Sequence, residues 1–552
     1  MKRKFIKKIS FFLSTLLITQ GLLTGCSSGG GSTAQFDENG KPVLEVDENG
    51  KVNGLMNPTG LPIVDNLGDY SFSLFVDNST PLEGQFVWPM LEEQTNVQVE
   101  VQQYAYEIAQ EKYGLALSSG DYTDVIGGWC LTPTDILTYG VEMGVFIPLE
   151  GYFEEYAPNI MKVLELPGVR ETMTAPDGHI YSIPYVTEAP KVDFNPYINK
   201  VWLDKLGLEM PTNTEEFREV LKAFKTQDPN GNGVNDEIPF SSDPNNRQIG
   251  YLAGWFGVPV AVDGFTMIDG KLEFGANTEA YKQMVEYMAS LNAEGLLDPE
   301  FFTQDLATWK AKGEQGLYGA SIAYGSGDFK QYLQGEEPDY APLPVLSSPE
   351  CDDPKWLADS TGVSTLKNQV VITDKAKNPE IIVRWWDNFY EPDNSFQALN
   401  GPLGITCEKT GEGTYKVYDR TTLSPEDDEK YSWANMFCQS LPKNLIEKEN
   451  VETVNPAYPE KDYVDEAYEP YFVGNDGNGN FDIIPSYWVE SDVSAALSEY
   501  TVSITDYVNQ KTAEWISGQA DVNAEWDAYL AQLDKLGLQE YIKIRQEAIG
   551  QQ

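Results

Sequence analysis

The sequence is poor in histidine and in positive charge. Among 552 residues there is one histidine, His179, and 38 lysines and arginines face 86 aspartates and glutamates, for a formal net charge of -48. A single histidine leaves almost no room for histidine-based metal sites or for a Ser-His-Asp triad. So large an excess of negative charge, with no basic patch to offset it, repels a phosphate backbone. These shortages exclude nucleic-acid binding and much enzyme chemistry.

Long apolar runs are lacking except at the start of the chain. Residues 1–26 contain a basic stretch, a largely apolar run from Ile9 to Leu23, and then Leu23-Thr24-Gly25-Cys26. This order is typical of an export signal, and the run is too short for a comfortable transmembrane helix. The small residues before Cys26 resemble the lipobox of bacterial lipoproteins, whose cysteine carries a diacylglycerol. We predict a signal peptide over residues 1–25 and a lipid anchor on Cys26; an uncleaved anchor helix is the alternative.

The next segment, residues 26–66, is polar and begins with glycine and serine. Residues 27–32 are flexible by composition, and the sequence Asp-Glu-Asn-Gly-Lys occurs at residues 37–41 and again at 47–51. Each Asn-Gly pair favours a tight turn, but a solvated stalk fits the polar composition better. We therefore predict a flexible tether over residues 26–66, which holds the protein at the extracellular face of the membrane.

Cysteine is scarce in the rest of the chain. Cys130, Cys351, Cys407 and Cys438 remain after lipidation. Outside the cell they allow up to two disulfides in three pairings, or buried thiols, and their irregular spacing matches no zinc motif. The sequence leaves these alternatives open.

The folded part begins with a pattern typical of an α/β sheet. Apolar residues occupy every second position at Phe72, Leu74 and Val76 and again at 97–101, and helical spacing lies between the two runs. This order predicts a parallel sheet with right-handed crossovers. A third predicted strand, residues 124–126, runs into Gly127-Gly128-Trp129. A glycine-rich turn at the carboxyl end of a parallel strand is where open α/β sheets bind ligands.

Six segments resemble the corresponding segments of one protein family, in the same order and with similar spacing. They are residues 119–125, 177–185, 202–208, 228–239, 379–386 and 515–548. Together they resemble family 1 extracellular solute-binding proteins, and among these the lipoprotein branch that handles oligosaccharides. The resemblance implies an α/β, two-lobed, periplasmic-binding-protein-like fold with hinge strands and a ligand cleft. It also implies that the protein delivers sugars to the permease subunits of an ABC importer.

The same resemblance implies a division of the chain into lobes. We expect a first lobe over residues 67–186 with returning segments from about 361–430, and a second over residues 187–360 with returning segments from about 431–500. Residues 501–552 are expected to form C-terminal helices. We expect a monomer that contacts the membrane only through its lipid anchor.

Residues 228–237 carry the most specific motif. Oxygen donors at positions 1, 3 and 5, a glycine at 6 and a backbone carbonyl at 7 form the front half of an EF-hand loop, although Pro239 replaces the glutamate expected at position 12. Relatives with this loop bind calcium, so the resemblance implies a structural Ca²⁺ held by Asp228, Asn230, Asn232, Val234 (through its carbonyl), Asp236 and Glu237. A solvated turn is the alternative, and a similar run at residues 476–482 is expected to be a turn.

Several aromatic residues lie at predicted turns rather than inside apolar runs. Aromatic rings offer an apolar plane to sugar rings, and carboxylates accept hydrogen bonds from hydroxyls. Trp129, after the glycine turn, and Trp255, between Gly254 and Phe256-Gly257, are expected to be stacking platforms. Core packing is the alternative for each residue. The predicted ligand-binding set is Trp129, Tyr185, Trp255, Tyr324, Asp328, Trp433 and Trp488.

Arginine is too scarce for recognition of an acidic glycan. Only six arginines follow the signal peptide: Arg170, Arg218, Arg247, Arg384, Arg420 and Arg545. Because bidentate arginines are the usual partners of carboxylates, a neutral oligosaccharide is favoured. We expect no enzyme activity. The alternatives are a binding protein for another solute such as a peptide, a surface adhesion protein, and a secreted glycoside hydrolase, for which no pair of carboxylates is evident.

Overall fold

The computed structural model describes residues 41–78, 81–244, 248–332, 338–432, 435, 441–447, 450–453, 460–489 and 491–551. The predicted signal peptide, Cys26, Arg247, Trp433 and Cys438 lie outside the described residues.

Helices and strands are interspersed through the described chain, as expected for an α/β fold. The strands are β1 (Tyr70–Asp77), β2 (Val97–Tyr104), β3 (Val125–Gly127), β4 (Tyr185–Glu188), β5 (Asn195–Asn199), β6 (Ile238–Ser242), β7 (Phe265–Ile268), β8 (Lys271–Phe274), β9 (Tyr318–Ala323), β10 (Tyr340–Pro342), β11 (Val363–Leu366), β12 (Val370–Ile372), β13 (Cys407–Gly411), β14 (Thr414–Val417) and β15 (Val451–Glu452). The helices are α1 (Val87–Thr95), α2 (Tyr106–Ser119), α3 (Pro133–Asp135), α4 (Glu150–Tyr156), α5 (Pro158–Leu164), α6 (Val169–Met173), α7 (Lys200–Leu206), α8 (Thr214–Thr226), α9 (Glu279–Ala293), α10 (Leu306–Glu314), α11 (Pro379–Phe389), α12 (Pro392–Asn400), α13 (Pro425–Lys430), α14 (Glu460–Tyr468), α15 (Ser491–Ile516), α16 (Val522–Lys535) and α17 (Leu538–Ala548).

The first lobe is built on a sheet in the order β12-β3-β1-β2. β1 runs parallel to β2 and β3, which confirms the parallel arrangement predicted from the alternating pattern, and β12 adds an antiparallel edge. Phe72, Leu74 and Val76 point to one face of the sheet, where α1, α4, α5 and α11 cover them. Phe75 points to the other face, towards Tyr113 of α2. Both faces are therefore buried.

The second lobe has its own sheet and its own core. Its strand order is β10-β5-β9-β6, with β6 parallel to β9 and β5 antiparallel to both neighbours. Helix α8 begins at Asn213, whose side chain accepts the Glu216 N–H at 2.9 Å, and buries Phe217, Leu221 and Phe224 against this sheet. Both the cap and the apolar stripe depend on the local spacing of residues along the helix.

Two short antiparallel strands connect the lobes. β4 leaves the first lobe and β11 returns to it, and they pair from Tyr185 opposite Leu366 to Glu188 opposite Val363. Residues 189–194 then lead from β4 into β5 of the second sheet. This pair occupies the place of the hinge strands that the resemblance implied.

The C-terminal helices belong to the core of the second lobe. Ile504, Trp515, Tyr529 and Tyr541 from α15, α16 and α17 are buried in the same cluster as α8 and α9. α15 is continuous from residue 491 to 516 and so runs across the expected boundary at residue 501. The terminal helices are therefore an integral part of the second lobe rather than a separate unit.

The prediction of a flexible tether is wrong for its second half. Val52, Met56 and Ile63 are fully or almost fully buried in the core of the first lobe. The Asn53 amide also donates to Glu380 at 2.9 Å, and the Arg384 guanidinium donates to the Asn57 carbonyl. The polar composition concealed this packing because the few apolar residues fit against α11, which lies more than 300 residues away in the chain.

The described cysteines are free thiols. Cys130 and Cys407 are buried, and Cys351 is half-buried. Burial raises the pKa of the Cys407 thiol to about 11. The described part of the chain therefore favours buried thiols over disulfides.

The packing of residues 41–64 predicts a stability difference between two substitutions in this segment. Met56 is 0% exposed and Val43 is 54% exposed. We expect Met56→Ala to lower the free energy of unfolding by about 2–5 kcal/mol, because it leaves a cavity in the core. Val43→Ala is the control and should change it by less than about 0.5 kcal/mol. Denaturant titration measures both values, and equal effects would show that this segment does not pack.

Candidate functional site

The turn after β3 presents a tryptophan to solvent. Trp129 is 50% exposed, whereas Cys130 and Leu131, which follow it, are buried. Its backbone N–H donates to Asp77 Oδ1 at 2.9 Å, at the end of the neighbouring strand β1. An exposed indole at the carboxyl edge of a parallel sheet is an apolar contact surface at the place where such sheets bind ligands.

A cavity of about 490 Å³ lies between the two lobes. Its first-lobe lining begins at Pro133, shortly after this turn in the chain. The first lobe contributes Pro133, Thr134, Leu137 and Lys367, and the C-terminal segment of the second contributes Tyr487, Trp488, Ser494, Leu497, Ser498 and Thr501. Thr134 Oγ1 and Ser494 Oγ hydrogen-bond across the boundary at 2.9 Å. The cavity combines apolar surface with hydroxyl groups, which is the composition of small-molecule sites.

Trp488 reaches back from the C-terminal segment onto the first lobe. Its Nε1 donates to the Thr172 carbonyl at 3.0 Å, and the Lys367 ammonium lies 4.0 Å from the centroid of its ring. Lys367 Nζ also donates to the Tyr487 carbonyl at 2.5 Å. Burial lowers the pKa of Lys367 to about 8. One ring face of Trp488 is thus covered by a buried cation.

Tyr324 and Asp328, both members of the predicted ligand-binding set, follow β9 in the second lobe. The Tyr324 ring contacts Phe194 edge-to-face at 5.9 Å, and the buried Lys461 ammonium lies 4.4 Å from its centroid. Asp328 Oδ2 accepts the Gly325 N–H at 3.1 Å and so caps its own turn. The Asp328 carboxylate therefore helps to shape the loop that carries Tyr324.

Tyr185 is buried on the hinge strand β4. The Lys443 ammonium lies 4.8 Å from its ring centroid and 3.4 Å from its hydroxyl oxygen. Three of the predicted aromatic residues, Tyr185, Tyr324 and Trp488, thus each have a buried lysine against the ring. These lysines could not be predicted from the sequence, because each approaches its ring from a distant segment and no local spacing marks it.

The prediction that Trp255 is a stacking platform is wrong. Trp255 is 1% exposed and lies in the core of the second lobe, with edge-to-face contacts to Phe217 at 5.9 Å and Tyr287 at 6.3 Å. The flanking Gly254 is needed for close packing, because a Cβ there would lie 2.0 Å from the Lys355 carbonyl oxygen. The glycines that suggested a ligand loop instead permit tight packing in the core.

The loop at residues 228–237 has its polar groups turned inward. Asp228 accepts the backbone N–H groups of Gly231 at 2.9 Å and Gly233 at 3.1 Å, and the Asn232 amide donates to Asp236 at 3.0 Å. Both Glu237 carboxylate oxygens are buried, with no hydrogen-bond partner among the described residues.

Burial raises the pKa of Glu237, and the charges of Asp228 and Asp236 raise it further. A buried, unpartnered carboxylate beside two others is the chemistry that a hard cation satisfies. The fit of this loop to a metal ion is incomplete in one respect. In the described part of the chain, no group of three or more histidine, cysteine, aspartate or glutamate side chains is arranged as a metal site.

The second glycine-asparagine run is a turn. Asp476 accepts from the Asn478 N–H at 2.7 Å and from the Asn480 side-chain amide at 2.8 Å. These hydrogen bonds lower the pKa of Asp476. Its carboxylate is satisfied within the loop, unlike that of Glu237.

Comparison with known proteins identifies the family. The family model described as bacterial extracellular solute-binding protein matches residues 90–381, which is more than half of the chain. This chain belongs to that family. A fructooligosaccharide ABC transporter substrate-binding protein, FusA from Streptococcus pneumoniae, is 31% identical over 509 residues, covering 86% of this chain and 90% of FusA.

Solved structures of the family share the fold of this solute-binding protein. FusA in complex with kestose has a TM-score of 0.74 at 29% identity, covering 86% of this chain and 98% of FusA. A FusA structure described as an EF-hand mutant in complex with fructo-nystose has a TM-score of 0.73. A solute-binding protein from Bifidobacterium longum infantis, described as HMO-binding, has a TM-score of 0.73 at 26% identity, covering 87% of this chain and 98% of that one. The two-lobed α/β fold expected from the sequence is thereby confirmed.

The segment of the solute-binding protein that crosses from β4 to β5 is held by half-buried carboxylates. Asp359 accepts the Asp193 N–H at 2.8 Å and the Tyr251 hydroxyl, and Asp465 accepts the Val192 N–H at 3.0 Å. Burial, and then the nearby Asp193 charge, raise the pKa of Asp359 to about 7. The Lys461 ammonium donates to the carbonyls of Val192 and Asp193 in the same segment.

The raised pKa of Asp359 predicts a pH-dependent stability. The folded protein keeps a proton on this carboxyl between its ordinary pKa of 3.8 and about 7, whereas the unfolded chain does not. Its contribution to stability therefore decreases as the pH rises through this range. Between about pH 5 and about pH 8, we expect this carboxyl to lower the melting temperature of wild type by a few degrees, a decrease that Asp359→Asn should not show. Differential scanning calorimetry measures this slope.

Asp353→Asn is the matched control for that experiment, because the Asp353 side chain is 82% exposed. It should leave the pH slope unchanged. A slope that is the same in Asp359→Asn and wild type would contradict the prediction.

Proposed function

We propose that this protein captures a neutral oligosaccharide in the cleft between its lobes and delivers it unchanged to an ABC importer. The observation that carries the proposal is the half-exposed Trp129 indole, in the turn that precedes the first-lobe residues lining a cavity between the lobes. The names of two relatives, a fructooligosaccharide-binding and an HMO-binding protein, support a saccharide as the ligand class.

The chemistry of the cleft fits a sugar. An exposed indole offers an apolar plane to the C–H face of a pyranose or furanose ring, and the cavity offers the hydroxyls of Thr134, Ser494 and Ser498 to ligand hydroxyls. The buried lysines Lys367 and Lys461 donate to backbone carbonyls of the protein itself. Because their charge serves internal contacts and the whole chain is strongly acidic, a neutral ligand is favoured over an anionic one.

Anchoring and partners belong to the same proposal. We propose that Cys26 carries the lipid, that the monomeric protein remains at the extracellular face of the membrane, and that the importer's permease subunits receive the ligand. Among the described helices, none is both long and apolar enough to cross a bilayer. Mass spectrometry of the purified membrane fraction would detect the lipid on Cys26.

Binding without turnover separates this function from that of a glycosidase. Glycosidases place two carboxyl groups at a set separation across the scissile bond. Near the candidate site, the Asp328 carboxylate accepts the Gly325 N–H of its own turn, and the Asp77 carboxylate accepts the Trp129 N–H from the turn after β3. We therefore propose that the ligand leaves chemically unchanged, which product analysis after prolonged incubation with kestose would test.

Removal of the Trp129 indole tests the placement of the ligand. We expect Trp129→Ala to weaken saccharide binding at least about tenfold, because it removes the exposed stacking plane. Isothermal titration against kestose, nystose and a panel of neutral oligosaccharides, with short peptides as a second class, gives the ligand and its affinity. Leu115→Ala, an exposed apolar residue on α2, is the control and should leave the affinity unchanged. An unchanged isotherm in Trp129→Ala would contradict this placement.

We also propose that the loop at residues 228–237 holds a structural Ca²⁺. Asp228, Asn230, Asn232, Asp236, Glu237 and the Val234 carbonyl are the proposed ligands. The unpartnered Glu237 oxygens and the description of a similar structure as an EF-hand mutant support this assignment. A divalent cation offsets the mutual repulsion of three carboxylates and ties the end of α8 to β6.

Calcium removal tests this proposal. Ca²⁺ at about a hundred times its Kd stabilises the folded state by roughly 2.7 kcal/mol, so chelation should lower the melting temperature by several degrees. Glu237→Gln should abolish this response. Asp476→Asn, in the second glycine-asparagine loop, is the matched control and should retain it. A melting temperature that does not respond to calcium or chelator in wild type would refute the site.

A further inference from the structure

A buried carboxylate lies directly beneath the turn that carries Trp129. Asp77 is the last residue of β1, it is 2% exposed, and its Oδ1 accepts the Trp129 N–H at 2.9 Å. The bond joins the ends of two neighbouring parallel strands, since Val76 lies opposite Gly127. A carboxylate acceptor makes this hydrogen bond stronger than one between neutral groups.

Gly128, which precedes Trp129, leaves room for this carboxylate because it has no side chain. Gly128 has a φ of +118°, a conformation that favours glycine, and a Cβ at this position would lie 1.9 Å from Asp77 Oδ1. The Gly128 N–H donates to the Gln369 carbonyl at 2.8 Å. On the far side, the Asn368 amide donates to the Leu131 carbonyl at 2.6 Å. The turn is therefore held from β1 on one side and from the segment before β12 on the other.

The Trp129 side chain depends on this backbone clamp for its orientation. Among the described residues, the indole takes part in no hydrogen bond, ion pair or ring contact, unlike the lysine-backed rings of Trp488 and Tyr324. Half of it is exposed, while Asp77 is almost completely covered. Asp77 is thus too deeply buried to offer its carboxylate to a ligand, but it directly fixes the backbone of the residue that is exposed.

We infer that Asp77 is a positioning residue for ligand binding, whose carboxylate holds the Trp129 backbone so that the indole projects into the cleft. This inference rests on the proposed function. The physical reason is preorganisation: an indole that is already held in place loses less conformational freedom when the ligand stacks on it.

A double-mutant cycle tests whether Asp77 acts through Trp129. We expect Asp77→Ala to weaken kestose binding about tenfold, the loss that corresponds to one hydrogen bond to a charged group. In the Trp129→Ala background, the same substitution should change the affinity less than about twofold. Asp77→Asn keeps an oxygen acceptor of the same shape and should restore most of the binding. Additive losses in the double variant would overturn the inference, as would an unchanged affinity in Asp77→Ala.

A spectroscopic measurement keeps the test independent of affinity and of global stability. In protein labelled with 5-fluorotryptophan, the ¹⁹F resonance that disappears in Trp129→Phe belongs to Trp129. We expect this resonance to shift and broaden in Asp77→Ala and in Gly128→Ala and to remain near its original position in Asp77→Asn, while the other tryptophan resonances stay in place. An unchanged Trp129 resonance in Asp77→Ala would overturn the inference. If wild type binds no saccharide in the panel, the proposed function fails. The ¹⁹F measurement in the Asp77 variants still decides whether Asp77 positions Trp129.

Discussion

The antiparallel pairing of β4 with β11 is the connection on which the rest of the molecule depends. On either side of it lies a lobe with its own sheet and its own hydrophobic core. Each core is stabilised by burial within one lobe, so the lobes can move as rigid bodies about a short connection. A ligand between them favours closure only by the difference between its affinities for the closed and open forms.

The crossing segment is held by a buried lysine and two half-buried carboxylates as well as by apolar packing. Asp359 and Asp465 accept backbone N–H groups of residues 189–194, and Lys461 donates to two carbonyls of the same segment. Buried charges persist where hydrogen bonds compensate their desolvation. The same lysine lies against the ring of Tyr324, and Lys367 and Lys443 lie against Trp488 and Tyr185. The hinge and the candidate site therefore share residues, which connects the candidate site with the geometry of the lobes.

Some features could be predicted because they depend on neighbours in the chain. The apolar periodicity at residues 72–76 and 97–101 predicted β1 and β2 and their parallel pairing. The glycine turn after residue 126 placed Trp129 at a strand end, where it is indeed exposed. In each case, the relevant periodicity or turn is local in the chain.

Other features depended on residues far apart in the sequence. Gly254-Trp255 has the same local character as Gly128-Trp129, but only the tertiary structure places Trp255 against Phe217 and Tyr287. Residues 41–64 are polar enough to be a tether, yet they bury their few apolar side chains against α11. The fold class, the family and the acidic, arginine-poor character of the chain could all be inferred from the amino-acid sequence. Which aromatic rings are exposed and which are backed by lysine could not, because exposure depends on the segments that pack above each residue, and these come from distant parts of the chain.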